Sequence, residues 1–261
     1  MAFDISNFVI DRVLRGTMTS TTDGSVMYFI NQITNPQLSF TADSVNAVDA
    51  LGTTIQTYYR AKTATLSAEN SMFDLGLLAT QQGTEKHVAS TGDKIVAPAL
   101  ETIDIAGTTV VLSHIPTADI TEIYALNGDS TLGKKYTVNA SANENQFAYE
   151  SESRTITLPT GLTSGQIFVM YEYETESAVE VVSSATQFPK AGKFIMEVLG
   201  NDVCDPSKLI YAYIIFPNAK LDPNTDITLS TESTHPFSLQ AQQAYCDKEK
   251  VLFKIVIPDA E

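Results

Sequence analysis

The sequence contains no tryptophan, only two cysteines and only three histidines among 261 residues. The cysteines, Cys204 and Cys246, form no CxxC pair and no cluster of potential ligands. Their spacing therefore indicates no metal site, and the sequence leaves open whether the two thiols meet. We expect two buried free thiols, because cysteine packs as a small hydrophobic residue. A chain of this length can bury a sufficient apolar core without disulfides or metal.

Long apolar runs and basic residues are also scarce. Nowhere do about eighteen apolar residues follow one another, and the start MAFDISNFVIDRVLRG has Asp4 where a signal peptide would need an uncharged core. We therefore expect no membrane partner and a protein kept in the cytoplasm until it is used. The 31 acidic and 16 basic side chains give a formal net charge of -15. A surface that grips nucleic acid is not expected, because phosphate binding needs clustered Lys and Arg.

The histidines are the first candidates for acid-base chemistry, and none has catalytic surroundings. His87 lies in a polar loop, His114 is close to Pro116, and His235 directly precedes Pro236. No GxSxG or HExxH motif accompanies them. We interpret all three as structural or surface residues and predict no catalytic residue, no cofactor and no metal ligand, so the chain is not expected to be an enzyme.

One segment imitates a calcium-binding loop. Asp222, Asn224 and Asp226 occupy the first three ligand positions of an EF-hand. The sixth position needs glycine and is Ile227, and the twelfth needs glutamate and is Ser233. We interpret the segment as a polar turn that enters a strand.

Two further patterns suggest binding or catalysis and have simpler explanations. The run Glu172–Glu176 (EYETE) could supply paired carboxylates for glycoside cleavage. In a strand, however, Glu172, Glu174 and Glu176 share one face, which predicts an ordinary solvated surface. The run Tyr58–Lys62 (YYRAK) combines two aromatic with two basic residues, which is too few bases for nucleic-acid binding.

Strand signals dominate the chain. Segments rich in β-branched and aromatic residues, most of them with alternating polarity, are separated by turn sequences such as NGD and PTGL. The predicted strands are Val26–Ile33, Thr54–Leu66, Thr108–Ser113, Ile123–Leu126, Arg154–Leu158, Gln166–Tyr173, Leu209–Pro217, Asp226–Ser230 and Lys250–Ile257. The pattern predicts an all-β fold.

One short helix interrupts this pattern after the second predicted strand. Ser67 is a suitable N-cap, Glu69 would lie in the first turn, and Gly83 can adopt the left-handed conformation that ends a helix. Apolar residues recur on one side at helical spacing, which predicts packing against a sheet: Met72, Leu75, Leu78 and Ala79. Polar residues fall mostly elsewhere: Asn70, Asp74 and Gln81.

Composition divides the chain into two domains. Residues 98–177 carry eleven acidic and three basic side chains and have their own rhythm of short strands and turns. We interpret them as an inserted acidic β-sandwich, and residues 1–97 with 178–261 as one discontinuous β domain. The Ser- and Thr-rich segment Thr17–Ser25 suggests a mobile arm or loop.

Three stretches then carry a resemblance to the major tail tube proteins of tailed bacteriophages. They are Tyr58–Lys86 (YYRAKTATLSAENSMFDLGLLATQQGTEK), Ala191–Asp222 (AGKFIMEVLGNDVCDPSKLIYAYIIFPNAKLD) and Ser233–Asp259 (STHPFSLQAQQAYCDKEKVLFKIVIPD). The resemblance implies a β-sandwich or barrel core beside a helix. It also implies hexameric rings of this chain that stack, with other tail proteins, into a hollow tube through which genome DNA is ejected.

Some tail tube proteins carry an immunoglobulin-like domain, and residues 98–177 would correspond to it. Here the extra domain stands in the middle of the chain, so it is either a projecting decoration or an elaborated loop between rings. The resemblance implies a virion protein assembled in the bacterial cytoplasm, with Ile55–Gly83 as inner-barrel strand and supporting helix. A channel lined with carboxylates would let DNA slide without tight binding, because carboxylates repel phosphate.

Three alternatives remain open at this point. A head decoration, neck or baseplate component of the virion would have the same β-rich composition. A cell-surface adhesin or carbohydrate-binding module built from sandwich domains is a different class, and the missing secretion signal counts against it. A hydrolase is the third, and no acidic pair in the sequence predicts one.

Overall fold

The structure is a computed structural model that describes residue 5 and residues 7–243 and 249–259. The described residues contain many strands and one helix, which confirms the prediction of an all-β fold with a single short α-helix. The elements are β1 (Phe8–Ser20), β2 (Val26–Ile30), β3 (Ile33–Val48), β4 (Thr54–Asn70), α1 (Leu75–Gln82), β5 (His87–Val88), β6 (Ile95–Asp104), β7 (Thr109–Val111), β8 (Glu122–Leu126), β9 (Leu132–Val138), β10 (Gln146–Glu150), β11 (Thr155–Thr157), β12 (Gln166–Thr175), β13 (Val179–Glu180), β14 (Ala191–Asp202), β15 (Asp205–Leu221), β16 (His235–Ala241) and β17 (Lys254–Val256).

The chain forms two compact units. The first consists of residues 1–86 and 181–261, and the second of residues 87–180. Pro98, where the composition shifts, lies inside strand β6, so the second unit begins earlier in the chain. The chain enters and leaves the second unit through β5 and β13, which pair antiparallel through Val88 with Val179 and His87 with Glu180.

The first unit is built on a sheet with the strand order β2-β1-β14-β15-β16-β4-β3, and β17 pairs with β15. All of these pairs are antiparallel. The sheet curls, which brings the side chain of Ile33 at the start of β3 against Gly16 of β1. One face therefore surrounds an apolar core with four fully or almost fully buried aromatic side chains: Tyr28, Phe194, Phe216 and Phe237.

Alternating polarity sets which side of each strand meets this core. Ala64, Leu66 and Ala68 of β4 are buried, whereas Thr65 and Ser67 between them are only half-buried. Successive side chains of a strand point to opposite faces, so the small hydroxyl residues lie on the other side of the sheet.

The helix begins later than predicted. Ser67 and Glu69 continue β4, where they pair with Ser238 and Pro236 of β16, because the ladder to two neighbouring strands outweighs a local helix cap. Asp74 caps α1 instead, and its side chain accepts a hydrogen bond from the backbone of Leu77 at 2.7 Å. Gly83 ends the helix at φ 74°, which confirms that part of the prediction.

The buried face of α1 matches the predicted one at Ala79, which is buried, and differs from it elsewhere. Met72 precedes the helix and is 55% exposed, whereas Leu77 is fully buried. The helix packs against β2, with Gly76 beside Tyr28, and its Leu77 belongs to the core of the first unit. The helix covers the edge strand β2. Helical spacing alone did not identify its inner face, because the position of the covered strand decides which side chains are buried.

Several predicted loops and strands changed identity. The segment Thr17–Ser25 is a tight hairpin, since β1 continues to Ser20 and β2 starts at Val26. Asp226–Ser230 forms no strand and belongs to the connection between β15 and β16. The predicted strand Lys250–Ile257 shortens to β17. Ladders with distant partners decided these outcomes.

The second unit has its own sheet and its own core. Its strand order is β6-β12-β8-β9-β10-β11-β7, in which β9 and β10 pair in parallel and the other pairs are antiparallel. Five fully buried side chains from four different strands meet inside it: Ile123, Phe147, Ile156, Ile167 and Val169. The assignment of an immunoglobulin-like topology to this unit stays a prediction.

Candidate assembly surface

Strands β3 and β4 extend well past the core of the first unit as a two-stranded ribbon. We define residues 41–63 as the arm. It starts where Thr41 pairs with Thr63 and continues to the pairing of Val48 with Thr54. A strand rises about 3.4 Å per residue, so the ribbon from Thr41 to Val48 is about 24 Å long.

Neither edge of the arm has a partner strand among the described residues. Strand β16 pairs with β4 only from Asn70 to Thr65, which is just outside the arm. Strand β3 pairs with β4 and with no other described strand. The unpaired N–H and C=O groups along such edges form a template for another strand.

Both faces of the arm are exposed as well. Every arm residue is exposed except Thr57 and Thr63, which are half-buried. The exposed side chains include six large apolar or aromatic ones: Val45 (48%), Val48 (53%), Leu51 (91%), Ile55 (69%), Tyr58 (52%) and Tyr59 (75%). Apolar side chains gathered in this way indicate an interaction site on a protein surface.

The arm nevertheless has a defined geometry. At its tip, a carboxylate oxygen of Asp49 accepts hydrogen bonds from the backbone of Leu51 at 2.9 Å and Thr53 at 2.7 Å. Gly52 completes the turn at φ 84°. The Thr57 hydroxyl donates to Asn46 across the ribbon at 2.9 Å. The turn and the cross-strand bond hold the apolar side chains on an ordered ribbon.

The run Tyr58–Lys62 lies on this arm. The sequence interpretation rejected it as a nucleic-acid site because it has two bases, and the structure instead makes it part of an exposed apolar ribbon. The arm was not predicted from the sequence, because a strand shows the same alternation of polar and apolar residues whether or not one of its faces is covered. The sequence signal for the arm was the long alternation of apolar and polar residues on both sides of Gly52.

His235 is a buried structural residue. It is fully buried, its Nδ1 accepts a hydrogen bond from the backbone N–H of Asp74 at 3.3 Å, and its Nε2 faces the side-chain oxygen of Gln81 at 2.8 Å. These partners select the tautomer with the proton on Nε2. Burial lowers the pKa of His235 below its usual value. The Gln81 amide in turn donates to the Pro236 carbonyl at 3.1 Å.

His87 and His114 also have structural partners. Both ring nitrogens of His87 face carboxylates, Nδ1 toward Glu180 at 2.9 Å and Nε2 toward Asp93 at 2.8 Å. The pKa of His87 is raised mainly by its hydrogen bond to Glu180 and next by its hydrogen bond to Asp93. The ring of His114 stacks on Tyr173 with centroids 3.8 Å apart. Among the described residues, no hydroxyl or thiol group forms a hydrogen bond with either ring.

The two acidic patterns are ordinary surface features. Asp222 accepts from the backbone and side chain of Asn224 at 2.9 and 2.8 Å, which makes a polar turn. Glu172 and Glu174 are exposed on β12, and Lys94 lies 3.6 Å from Glu174. Among the described residues, no group of three or more His, Cys, Asp or Glu side chains could hold a metal ion.

The expectation of two buried thiols is wrong for Cys204. It lies in the exposed turn between β14 and β15, where its backbone donates to Asp202 at 2.9 Å. A two-residue turn cannot reach the core of the sheet, so the local hairpin overrides the usual burial of cysteine. Cys246 lies outside the described residues.

A cleft with a volume of about 860 Å³ lies between α1 and the β1-β2 hairpin. Its polar lining includes Asp74, whose carboxylate is occupied in capping the helix, and two lysines, Lys86 and Lys190.

No helix in the described part of the chain is long and apolar enough to cross a membrane.

Comparison with known proteins identifies a matching family. No curated protein matches the chain. The family model described as the YomU/Tube protein family matches residues 8–252, which cover both compact units. The chain therefore belongs to the YomU/Tube protein family.

Proposed function

We propose that this protein is a virion structural protein that assembles with copies of itself into stacked rings. The rings, which we propose to be hexameric, form the tail tube that conducts genome DNA during ejection. Membership in the YomU/Tube protein family supports the tube, and the resemblance to tail tube proteins supports the rings. The role is structural and not catalytic, and assembly takes place in the cytoplasm of a bacterial host.

The observation that carries the proposal is the arm. An isolated two-stranded hairpin is marginally stable in water, so a long ribbon with two open edges and two exposed faces needs a partner. A second copy of the chain supplies one by pairing with an open edge and covering the apolar side chains. Repeating this contact in one direction builds a ring or a filament, because the two contacting surfaces differ.

The test replaces residues 42–62 by an Asn-Gly turn, which joins Thr41 and Thr63 as a short hairpin. The core residues of β4 begin at Ala64, and no core residue of the first unit lies within residues 42–62, so we expect the variant to remain folded by circular dichroism. In sedimentation velocity, the wild-type protein is expected to form large assemblies and the variant to stay small.

A matched pair of triple variants separates assembly from general loss of surface hydrophobicity. Leu51→Ser, Ile55→Thr and Tyr59→Ser change the arm, whereas Val111→Thr, Ile115→Thr and Leu132→Ser change apolar side chains of the second unit that are also more than half exposed. We expect only the arm variant to lose assembly. Equal assembly of both triple variants and the wild type would contradict the role of the arm.

A further inference from the structure

The first unit has an open sheet face opposite its core. Register places Thr17, Ile195 and Ile215 in one row across β1, β14 and β15, and Arg15, Glu197 and Tyr213 in the next row. The residues on either side of them in sequence, such as Phe194 and Met196, belong to the core. Side chains in these rows therefore point away from the core.

Three lysines share this open face. Lys193 lies two residues before Ile195 on β14, Lys254 pairs with Ile215, and Lys220 pairs with Ala191 at the start of β14. Strand spacing of about 4.8 Å and a rise of about 3.4 Å per residue place neighbouring lysines roughly 8 to 12 Å apart. They form one patch, which we call the lysine face.

The lysine face carries uncompensated positive charge. Glu197, the acidic residue in these rows, is already paired with Arg15 and accepts from the Tyr213 hydroxyl at 3.4 Å. Among the described residues, no carboxylate lies within 4.0 Å of the ammonium groups of the lysine face: Lys193, Lys220 and Lys254. Lys193 and Lys254 are exposed, and Lys220 is half-buried.

The negative charge of the chain is concentrated elsewhere. Residues 87–180 carry thirteen acidic and four basic side chains. Charges on exposed groups are screened beyond about 10 Å at moderate salt. A net charge of -15 for the whole chain is therefore compatible with a locally basic face.

We propose that the lysine face contacts the phosphate backbone of duplex DNA, and this inference rests on the proposed function as a conduit. Phosphates complement its charge, and lysine suits a weak, sliding contact because its ammonium is a hydrated point charge without the bidentate fork of arginine. The lining of the channel then differs from the carboxylate lining expected from the net charge.

The acidic unit of a second copy is a less suitable partner. Several of its carboxylates already have partners within their own unit: Glu101, Glu122, Glu174, Glu176 and Glu180. A phosphate backbone instead offers evenly spaced charges along its whole length, which allows every ring to make the same contact.

The test measures binding of a short fluorescent DNA duplex to the full-length protein by anisotropy over a range of salt concentrations. Three phosphate contacts predict a slope of log K against log salt of about -2.7, or about 40-fold weaker binding at 200 mM than at 50 mM salt. We expect Lys193→Gln, Lys220→Gln and Lys254→Gln together to abolish this binding.

Two matched variants control the measurement. Lys94→Gln, Lys134→Gln and Lys135→Gln remove the same charge from the second unit and should leave most of the binding intact. Replacing the three lysines of the face by arginine should retain it. Failure of wild-type protein to bind while it still forms tubes would overturn this inference alone. Loss of assembly in the face variant alone would overturn it too, because the face would then be an interface between copies.

Discussion

Gly83 shows how a single residue decides the end of α1. It adopts φ 74°, and a Cβ at this position would lie 2.2 Å from the backbone oxygen of Phe188. The left-handed conformation alone costs an L-residue about 1–2 kcal/mol, and the contact is with backbone that cannot rotate away. We expect Gly83→Ala to lower the free energy of unfolding by more than about 2 kcal/mol, measured by urea denaturation.

Gly24 is the matched control for this prediction. It also has a positive φ of 76°, but nothing lies within 4 Å of the position that its Cβ would take. Gly24→Ala should therefore show the conformational cost alone. Equal effects of the two substitutions would contradict the proposed backbone contact at Gly83.

His235 makes stability depend on pH. Its pKa is lowered in the folded protein by burial, so the unfolded state binds the proton more readily. The stabilisation by the neutral ring is present above the usual pKa of about 6.5 and is lost as the pH falls toward the lower pKa of the folded state. In thermal unfolding from pH 8 to pH 5, the advantage of wild-type protein over His235→Gln should shrink.

His87 works in the opposite direction and serves as the comparison. Glu180 and Asp93 raise its pKa, so its stabilisation is present below the usual pKa and is lost as the pH rises through the higher folded value. His87→Gln should lower the stability of the protein most at acidic pH. A stability difference between the wild type and His235→Gln that stays constant from pH 8 to pH 5 would contradict the buried neutral imidazole of His235.

Residue-level prediction from sequence succeeded where the cause is local. Gly83 was predicted as the helix terminator because glycine tolerates positive φ without help from elsewhere. The contact between Gln81 and His235 joins residues far apart in the sequence, and polarity alone would place Gln81 in solvent. Such pairs could not be predicted because tertiary packing creates them.

At the scale of elements, the buried face of α1 is decided by Leu77. It is fully buried in the core of the first unit, whereas Met72, which spacing placed on the inner face, is 55% exposed. Leu77→Ala should reduce the free energy of unfolding by about 2–5 kcal/mol. Met72→Ala should change it by less than about 0.5 kcal/mol, as expected at an exposed site.

Urea denaturation of the two variants tests this assignment. A larger effect of Met72→Ala than of Leu77→Ala would mean that the helix packs through the face predicted by spacing. The sequence predicted that this helix exists and where it ends. It could not predict where the helix starts. The residues after Leu66 suit either a helix N-cap or a strand, and pairing with β16 keeps them in strand β4.

The strands show the same division. Segments with strong alternation, such as Gln166–Tyr173 within β12, were predicted from sequence. The long strands β1 and β14 were not predicted, because each mixes charged, small and apolar residues. Their pairing with each other over eleven register positions stabilises residues that have little strand preference alone.

At the scale of the whole molecule, the uneven distribution of charge and apolar surface is consistent with assembly. The second unit, with 13 acidic and 4 basic side chains, accounts for -9 of the net charge of -15. The lysine face lies on the first unit, and the arm exposes apolar side chains that a monomer would keep in water. Composition alone predicted an acidic protein and its resemblance predicted a tube. Neither could locate the arm, because exposure of both faces depends on what the rest of the chain leaves uncovered.

Negative-stain electron microscopy of the purified full-length protein shows directly whether the chain forms a tube. We expect rings or tubes with a central channel, and their loss when residues 42–62 are replaced by the short turn. Particles of single-chain size at every protein concentration, with the arm intact, would contradict this expectation.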